Sequence, residues 1–284
     1  MKFKFFILLV LYIFACTKIS PIIKEETSIN ELPDSFISFD IITWNIEEFP
    51  IHHSTTSKVI SIVDSLKPKI IAFQEITSES QFQEITNQIP QYLGYRSSTA
   101  SYGINLAFIW DSTYVKNIEI YEILTWQSYP LPRSPLVMEC NINNLDFIII
   151  NNHLKAYHDS ESIERRRQAI ILLENYIDTY YQNDNLILLG DLNDSLDDPF
   201  NYNIFTPFLN APNSYLFVDQ FFEMENYSYP SYPSHIDHIL ISNELYEFYN
   251  SQYTEVYTIK LEETIENYFN QVSDHLPVYL KLVF

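Results

Sequence analysis

The chain has 284 residues, 46% hydrophobic, 16% aromatic and 19% charged, which points to one large catalytic-sized core and excludes a disordered or coiled-coil protein. Its three glycines, Gly94, Gly103 and Gly190, cannot compose the phosphate loops of P-loop or Rossmann proteins, and its two cysteines, Cys16 and Cys140, cannot make a cysteine-rich zinc site. A formal net charge of −21 leaves no broad basic face, so a polyanionic substrate must be met by a few local cations and by a metal held through oxygen or imidazole.

In chain order, the basic start Met1-Lys-Phe-Lys precedes the eleven-residue uncharged apolar run from Phe5 to Ala15. A bilayer-spanning helix needs about 20 residues, so this run fits a secretory signal peptide over 1–15. The run ends in Ile13-Phe14-Ala15-Cys16, which resembles the bacterial lipoprotein signal. That resemblance implies lipid on Cys16, a polar tether over 16–35, and an exported, membrane-anchored protein of the periplasm or cell surface. Removing 1–15 takes Lys2 and Lys4 and no acid, so the net charge goes from −21 to −23. Cys140 is then expected to be a buried, reduced core thiol.

From Phe36 to Phe284 a single catalytic domain is expected, without internal repeats. Strands are predicted over Phe36–Trp44, Ile70–Gln74, Ile104–Trp110, Leu136–Ile142, Phe147–Asn152, Leu186–Leu189, Ile236–Ile241 and Val278–Val283. Several are continuous apolar runs, as strands buried on both faces require. Helices are predicted over Thr55–Leu66 and Ser160–Tyr181, where apolar residues recur at helical spacing. Two sheets packed face to face with helices outside satisfy both patterns.

Polar residues interrupt these strands at or just past their ends, where active sites are usually built. The interruptions are Trp44-Asn45-Ile46-Glu47, Gln74-Glu75, Asn151-Asn152-His153, Gly190-Asp191-Leu192-Asn193-Asp194, His235-Ile236-Asp237-His238 and Ser273-Asp274-His275. Phosphodiester hydrolysis asks for these residue types: carboxylates for a hard divalent cation and an activated water, imidazoles for charge and proton transfer.

These six segments, in this order, resemble the endonuclease/exonuclease/phosphatase superfamily, to which pancreatic deoxyribonuclease and sphingomyelinases belong. The resemblance implies an α/β (α+β) fold, a four-layer α/β/β/α sandwich of two packed mixed sheets flanked by helices, and metal-dependent hydrolysis of phosphoesters. It assigns Glu75, Asn45 and Asp274, with Glu47 as a further candidate, to a divalent metal, Mg2+ before Mn2+ or Ca2+. His275, held by Asp237, would act as base or transition-state stabiliser, with Asp191 competing for the base role. His153 would donate to the phosphate, Asn193 would orient water or a phosphate oxygen, and Arg133 would clamp the phosphate. Asp237 with His238 could instead be a surface pair, Arg165 to Arg167 read better as a solvated helix face, and His52, His53, His158 and His235 read as surface or supporting residues. Arg133 and the segment around His153 are similar to secreted bacterial nucleases, so nucleic acid is the expected substrate, and no protein partner is inferred. A sphingomyelinase-like phosphodiesterase is the alternative, with Tyr227 to Tyr232 as a membrane-facing loop, and a non-catalytic surface-binding lipoprotein is the third.

Overall fold

A computed structural model describes residues 38–222 and 226–284; the expected signal peptide, Cys16 and the expected tether lie outside the described residues. The first half runs β1 (Ser38–Phe49), α1 (Thr55–Leu66), β2 (Ile70–Ile76), α2 (Glu79–Gln88), β3 (Tyr92–Arg96), β4 (Asn105–Asp111), β5 (Val115–Glu122) and β6 (Leu136–Ile142). The second continues β7 (Leu145–His153), α3 (Ser160–Tyr180), β8 (Asn185–Asp191), α4 (Thr206–Leu209), β9 (Tyr215–Phe217), β10 (Asp237–Ser242), α5 (Tyr246–Tyr249), β11 (Glu255–Thr258), α6 (Tyr268–Gln271) and β12 (Val278–Val283).

The strands form two six-stranded mixed sheets, ordered β11-β12-β1-β2-β4-β3 and β5-β6-β7-β8-β10-β9. Each sheet has one parallel pair at its centre, β1 with β2 and β7 with β8, and antiparallel neighbours elsewhere. Both parallel pairs are joined through a helix, α1 or α3, because two strands running the same way need a long crossover. Their residues are buried on both faces, and the apolar runs of Ile70 to Phe73 and Leu186 to Leu189 follow from that.

Three apolar cores lie between four layers. Phe39, Ile41 and Phe108 of the first sheet meet Met138, Phe147 and Ile239 of the second in the middle core. The outer face of the first sheet packs on Val59 and Val63 of α1 and Phe82 and Ile85 of α2. The outer face of the second packs on Ile170, Leu173 and Ile177 of α3. The helix ends follow local chemistry. Asp159 caps α3 by accepting from the backbone N–H of Glu161 and Ser162, and α1 stops at Lys67 in a left-handed conformation, just before Pro68. Cys140 is a buried free thiol whose pKa burial pushes up to about 12, in keeping with an inert core cysteine.

Gly190 controls how closely β7 and β8 approach. Its φ is +141°, and a Cβ there would lie 1.9 Å from the carbonyl oxygen of Asn152. Only a residue without a side chain lets the two backbones meet this tightly, one residue before His153 and Asp191 come side by side in register. Gly190→Ala is therefore expected to cost more than about 3 kcal/mol of stability, measured by urea unfolding. Gly103→Ala, with nothing within 4 Å of its Cβ, is expected to cost far less.

Candidate active site

The carboxyl ends of β1, β2, β7 and β8 converge, and every catalytic and metal-ligating residue expected from the sequence reaches that point. Two bulges prepare the first sheet's contribution. The β1–β2 register shifts between Asn45 and Phe49, and the β2–β4 register between Phe73 and Ile76. Glu47, Glu48 and Glu75 take positive φ there (40°, 39° and 65°), a conformation that costs non-glycine residues energy and turns side chains out of the pleat. The bulges are tied together: the Glu48 N–H donates to Glu75 Oε2 at 2.9 Å and the Glu47 N–H to Asn45 Oδ1 at 3.0 Å. Asn45 Nδ2 then donates to Glu75 Oε1 at 3.2 Å and to Asp191 Oδ2 at 2.9 Å, linking the two sheets.

Glu47, Glu75 and Asp274 form an oxygen-rich cradle. The Asp274 N–H donates to Glu47 Oε2 at 3.0 Å. Burial raises the pKa of Glu47, and the charges of Asp274 and Glu75 raise it further. Asp274 is likewise raised, first by burial and also by Glu75 and Asp237. Partly buried carboxylates that raise one another in this way suit a divalent cation bound through oxygen. Glu47, a secondary candidate in the sequence, thus belongs with Glu75 and Asp274.

The second sheet brings the proton chemistry. Asp191 of β8 is buried, and its pKa is raised to about 7 by burial, partly opposed by the charge of His275. The Asn193 N–H fixes Asp191 Oδ1 at 3.0 Å. His275 donates from Nδ1 to Asp237 Oδ2 at 2.7 Å, which leaves Nε2 3.8 Å from Asp191 and 3.9 Å from Asp274. Asp191, Asp237 and His275 also qualify by spacing as a metal group, their ligand atoms lying within 4.8 Å of one another, but the Asp237 hydrogen bond already accounts for one imidazole nitrogen. Burial lowers the His275 pKa, yet Asp237 and Asp191 outweigh it and lift the ring to about 10, so it is an imidazolium at neutral pH. His153 is the opposite case: burial and then the charge of Arg133 hold its pKa well below 6.5. This neutral ring points Nε2 between Asp191, 3.5 Å away, and Glu75, 3.7 Å away. Arg133 lies beside it, donating weakly to the Leu154 carbonyl at 3.4 Å, and its buried Nε has no partner among the described residues.

Several functional neighbours were not assigned from sequence. Ser273 Oγ donates to the Asn45 carbonyl and accepts from the His275 N–H, joining β1 to the imidazole loop. Ser228 Oγ accepts from the Asp237 N–H, and Tyr229 packs its ring 4.8 Å from that of His275. The Tyr227 to Tyr232 segment thus turns Ser228 and Tyr229 into the site, although Tyr232 stays exposed. The solvated-helix expectation fails at Arg166, which is fully buried, bonded to Asp194 at 2.9 Å and donating to the carbonyls of Lys155 and Tyr157. The surface-pair expectation fails for Asp237 and His238, both buried, because β10 is covered on both faces.

The model of the Endonuclease/Exonuclease/phosphatase family matches residues 42–275. No curated protein matches the sequence. Among solved structures, D. rerio TDP2 complexed with single strand DNA product is 14% identical with a TM-score of 0.67, over 86% of this chain and 98% of that one. The human Nocturnin catalytic domain with bound sulfate anion is 17% identical with a TM-score of 0.64, over 87% and 95%. An endonuclease/exonuclease/phosphatase family protein from Bacteroides thetaiotaomicron is 15% identical with a TM-score of 0.60, over 88% and 98%. At such identities the structural likeness speaks for the fold alone.

The raised His275 and Asp191 pKa values make a stability prediction. A group whose folded pKa exceeds its unfolded value contributes stability at low pH and loses it as pH rises through the folded pKa. Urea melts of metal-free protein should therefore show stability falling from about pH 7 to about pH 9, below the range in which the buried tyrosines contribute a fall of their own, because the unfolded chain gives up the His275 proton there and the folded protein keeps it. His275→Gln should flatten that fall; the same fall in the variant would refute the imidazolium assignment.

Proposed function

The chain belongs to the endonuclease/exonuclease/phosphatase family of phosphodiester hydrolases, and from that membership we propose that it is an exported, metal-dependent phosphodiesterase that cleaves nucleic acid. The observation that carries the reading is the meeting, at one end of two sheets, of an oxygen cradle with a neutral histidine, a charged histidine and a buried aspartate of raised pKa.

Glu47, Glu75 and Asp274, with Asn45 beside them, would hold Mg2+, or Mn2+ or Ca2+ in its place, since hard cations take oxygen donors. Such an ion, when bound, supplies charge neutralisation to the phosphoryl oxygens and the leaving oxygen. The protein's own groups do the rest. Asp191 is the better base, because its carboxylate accepts a proton near neutral pH, whereas His275 arrives already protonated. The role that falls to His275 is electrostatic, an imidazolium fixed by Asp237 and aimed at developing negative charge. His153, neutral, donates one N–H to a phosphate oxygen from the other side, and Arg133 adds a positive charge there.

A cleft of about 600 Å³ opens beside these groups, lined by Glu75, His153, Arg133, Lys155, Arg165 and Tyr102. Three cations in one cleft of a chain of net charge −21 supply the local attraction a phosphodiester backbone needs. Tyr102 is 98% exposed on its rim, and Tyr157 is 71% exposed. Lys155 Nζ lies over one face of Tyr157 at 4.1 Å from the ring centroid, and exposed aromatic rings beside cations suit unpaired bases, each stack being worth about 1–3 kcal/mol. The single strand DNA product in the D. rerio TDP2 structure accords with this choice. The sphingomyelinase-like alternative loses its main support, since Ser228 and Tyr229 are committed to the catalytic groups. The binding-protein alternative leaves the convergence of so many competent groups without a use.

Export rests on the basic start, the apolar run and Cys16. No helix among the described residues is long and apolar enough to cross a membrane. In this reading lipid on Cys16 is the anchor. Cys16→Ser should move the protein from the membrane pellet to the soluble fraction; an unchanged distribution would count against lipidation.

Activity is tested with supercoiled plasmid and RNA. Cleavage should need a divalent ion, cease in EDTA, and fall by about 100-fold or more in Glu75→Gln, Asp191→Asn and His275→Ala. Metal-independent cleavage, or full activity in Asp191→Asn, would overturn the proposal. Tyr102→Ala should raise KM for single-stranded oligonucleotides by roughly fivefold or more with little change in kcat.

A further inference from the structure

The loop that joins β5 to β6, residues 123–135, forms one wall of the catalytic cleft through Ser128, Pro132 and Arg133. It is anchored from inside. Leu124 and Leu131 are buried in the outer core of the second sheet, the Gln127 N–H donates to the Leu124 carbonyl at 2.9 Å, and the Ile123 N–H donates to the Pro135 carbonyl at 3.0 Å. With its aliphatic side chains turned inward, the loop still leaves two aromatic rings outside. Trp126, two residues before Ser128, is 72% exposed, and Tyr129 is exposed as well.

Single exposed rings are ordinary on a protein surface, but these alternate with cations at the mouth of a cleft. The Arg165 guanidinium lies over the Tyr129 ring, 4.8 Å from its centroid, and its Nε donates to the Tyr129 carbonyl at 2.6 Å. Lys155 stands over Tyr157 in the same way, and both cations line the cleft together with Arg133. Among the described residues none of these three cations forms an ion pair with a carboxylate, whereas Arg166 and Arg167, beside Arg165 in the sequence, both do. Acids are not scarce, since the chain has 37 against 16 basic residues. Partial burial, and then the charges of Arg165 and Arg133, lower the pKa of Lys155, a repulsion that an anion between them would relieve. The buried Arg133 Nε without a partner lies in the same cleft.

We propose that Trp126, Tyr129 and Arg165 extend the catalytic cleft into a track for a single strand of nucleic acid. Nucleotides flanking the scissile phosphate stack on the rings, while Lys155 and Arg165 meet their phosphates. The track rests on the nucleic-acid reading above and adds to it a binding surface outside the cleft, with a preference for unpaired strands, because a ring can stack only on a base that no duplex holds. A lipid surface fits the loop less well. Insertion calls for a continuous apolar patch, and here the aliphatic side chains are buried while a cation covers one ring.

Trp126 reports on its own occupancy, because Trp44 and Trp110, the other two tryptophans, are buried. A thymidine octanucleotide added to full-chain Asp191→Asn, which leaves the strand uncut, should quench the tryptophan emission and bind at least about 10-fold more tightly than a thymidine dinucleotide. Trp126→Phe in the same background should remove the quenching. Trp126→Ala should lower the ratio of the two affinities roughly fivefold or more, with an unchanged circular dichroism spectrum, and Arg165→Gln should reduce the slope of log affinity against log salt by about 0.7. An unquenched indole, the same ratio in Trp126→Ala, or quenching by phosphatidylcholine vesicles and not by the oligonucleotide would each overturn the track. Cleavage of the octanucleotide by the unmutated chain in Mg2+ is scored separately. Cleavage without quenching refutes the track alone, and quenching without cleavage refutes the hydrolytic reading alone.

Discussion

Hydrogen bonds sent by Asn151 across the middle of the protein hold the two sheets in the register on which the site depends. Its Nδ2 donates at 3.0 Å to the carbonyls of both Phe73 and Ala107, cross-strand neighbours where the β2–β4 register begins to shift. Its Oδ1 accepts from Gln74 Nε2 at 2.8 Å, and Gln74 also reaches Thr43. All of these groups are buried. An apolar interface would let two sheets slide at little cost, but sliding here would strand several buried polar groups, each costing about 1–3 kcal/mol. The same bulge that turns Glu75 outward therefore lies where the second sheet is locked on. Asn45, Glu75, His153 and Asp191 can meet because of that lock.

The site built on this frame runs against the stability of the fold. Glu47, Glu48, Glu75 and Asn193 sit at positive φ, Asp191 is buried with a raised pKa, and Glu47 and Asp274 repel each other. Proteins accept such strain where function requires it and offset it in neighbouring packing. Here the offset is visible in Trp44, buried and donating to Tyr268 Oη, which in turn donates to the His275 carbonyl. A large apolar side chain of the first sheet thus steadies the loop that carries the imidazolium.

How much of this was legible in the sequence depended on burial. Strands β6 and β12 and helix α1 lie where their apolar patterns place them, because each is buried against a core. Strands β3, β5, β9 and β11 escaped notice. All four lie at sheet edges, β9 and β11 are only three and four residues long, and β3 and β5 are largely exposed, so no apolar run marks them. Helix α2 buries only Phe82 and Ile85, too little for a stripe. The catalytic groups could be read because polar residues breaking an apolar strand are conspicuous. Arg166 could not, since nothing local separates it from Arg165 and Arg167; the contact with Asp194, far along the chain, decides which arginine is buried. Ser228 and Tyr229 reach His275 and Asp237 from a loop, where sequence periodicity has no bearing.

The pairing of β1 with β12 has a consequence for timing. Thr43 lies opposite Val278, and Asn45 and His275 flank that junction, so one of the earliest strands to be synthesised takes one of the last as its neighbour. A nascent chain that has not yet released β12 from the ribosome has no partner for that edge of β1, and no fixed place for the loop bearing Asp274 and His275. Hydrolytic competence would then appear at the end of synthesis rather than gradually along it.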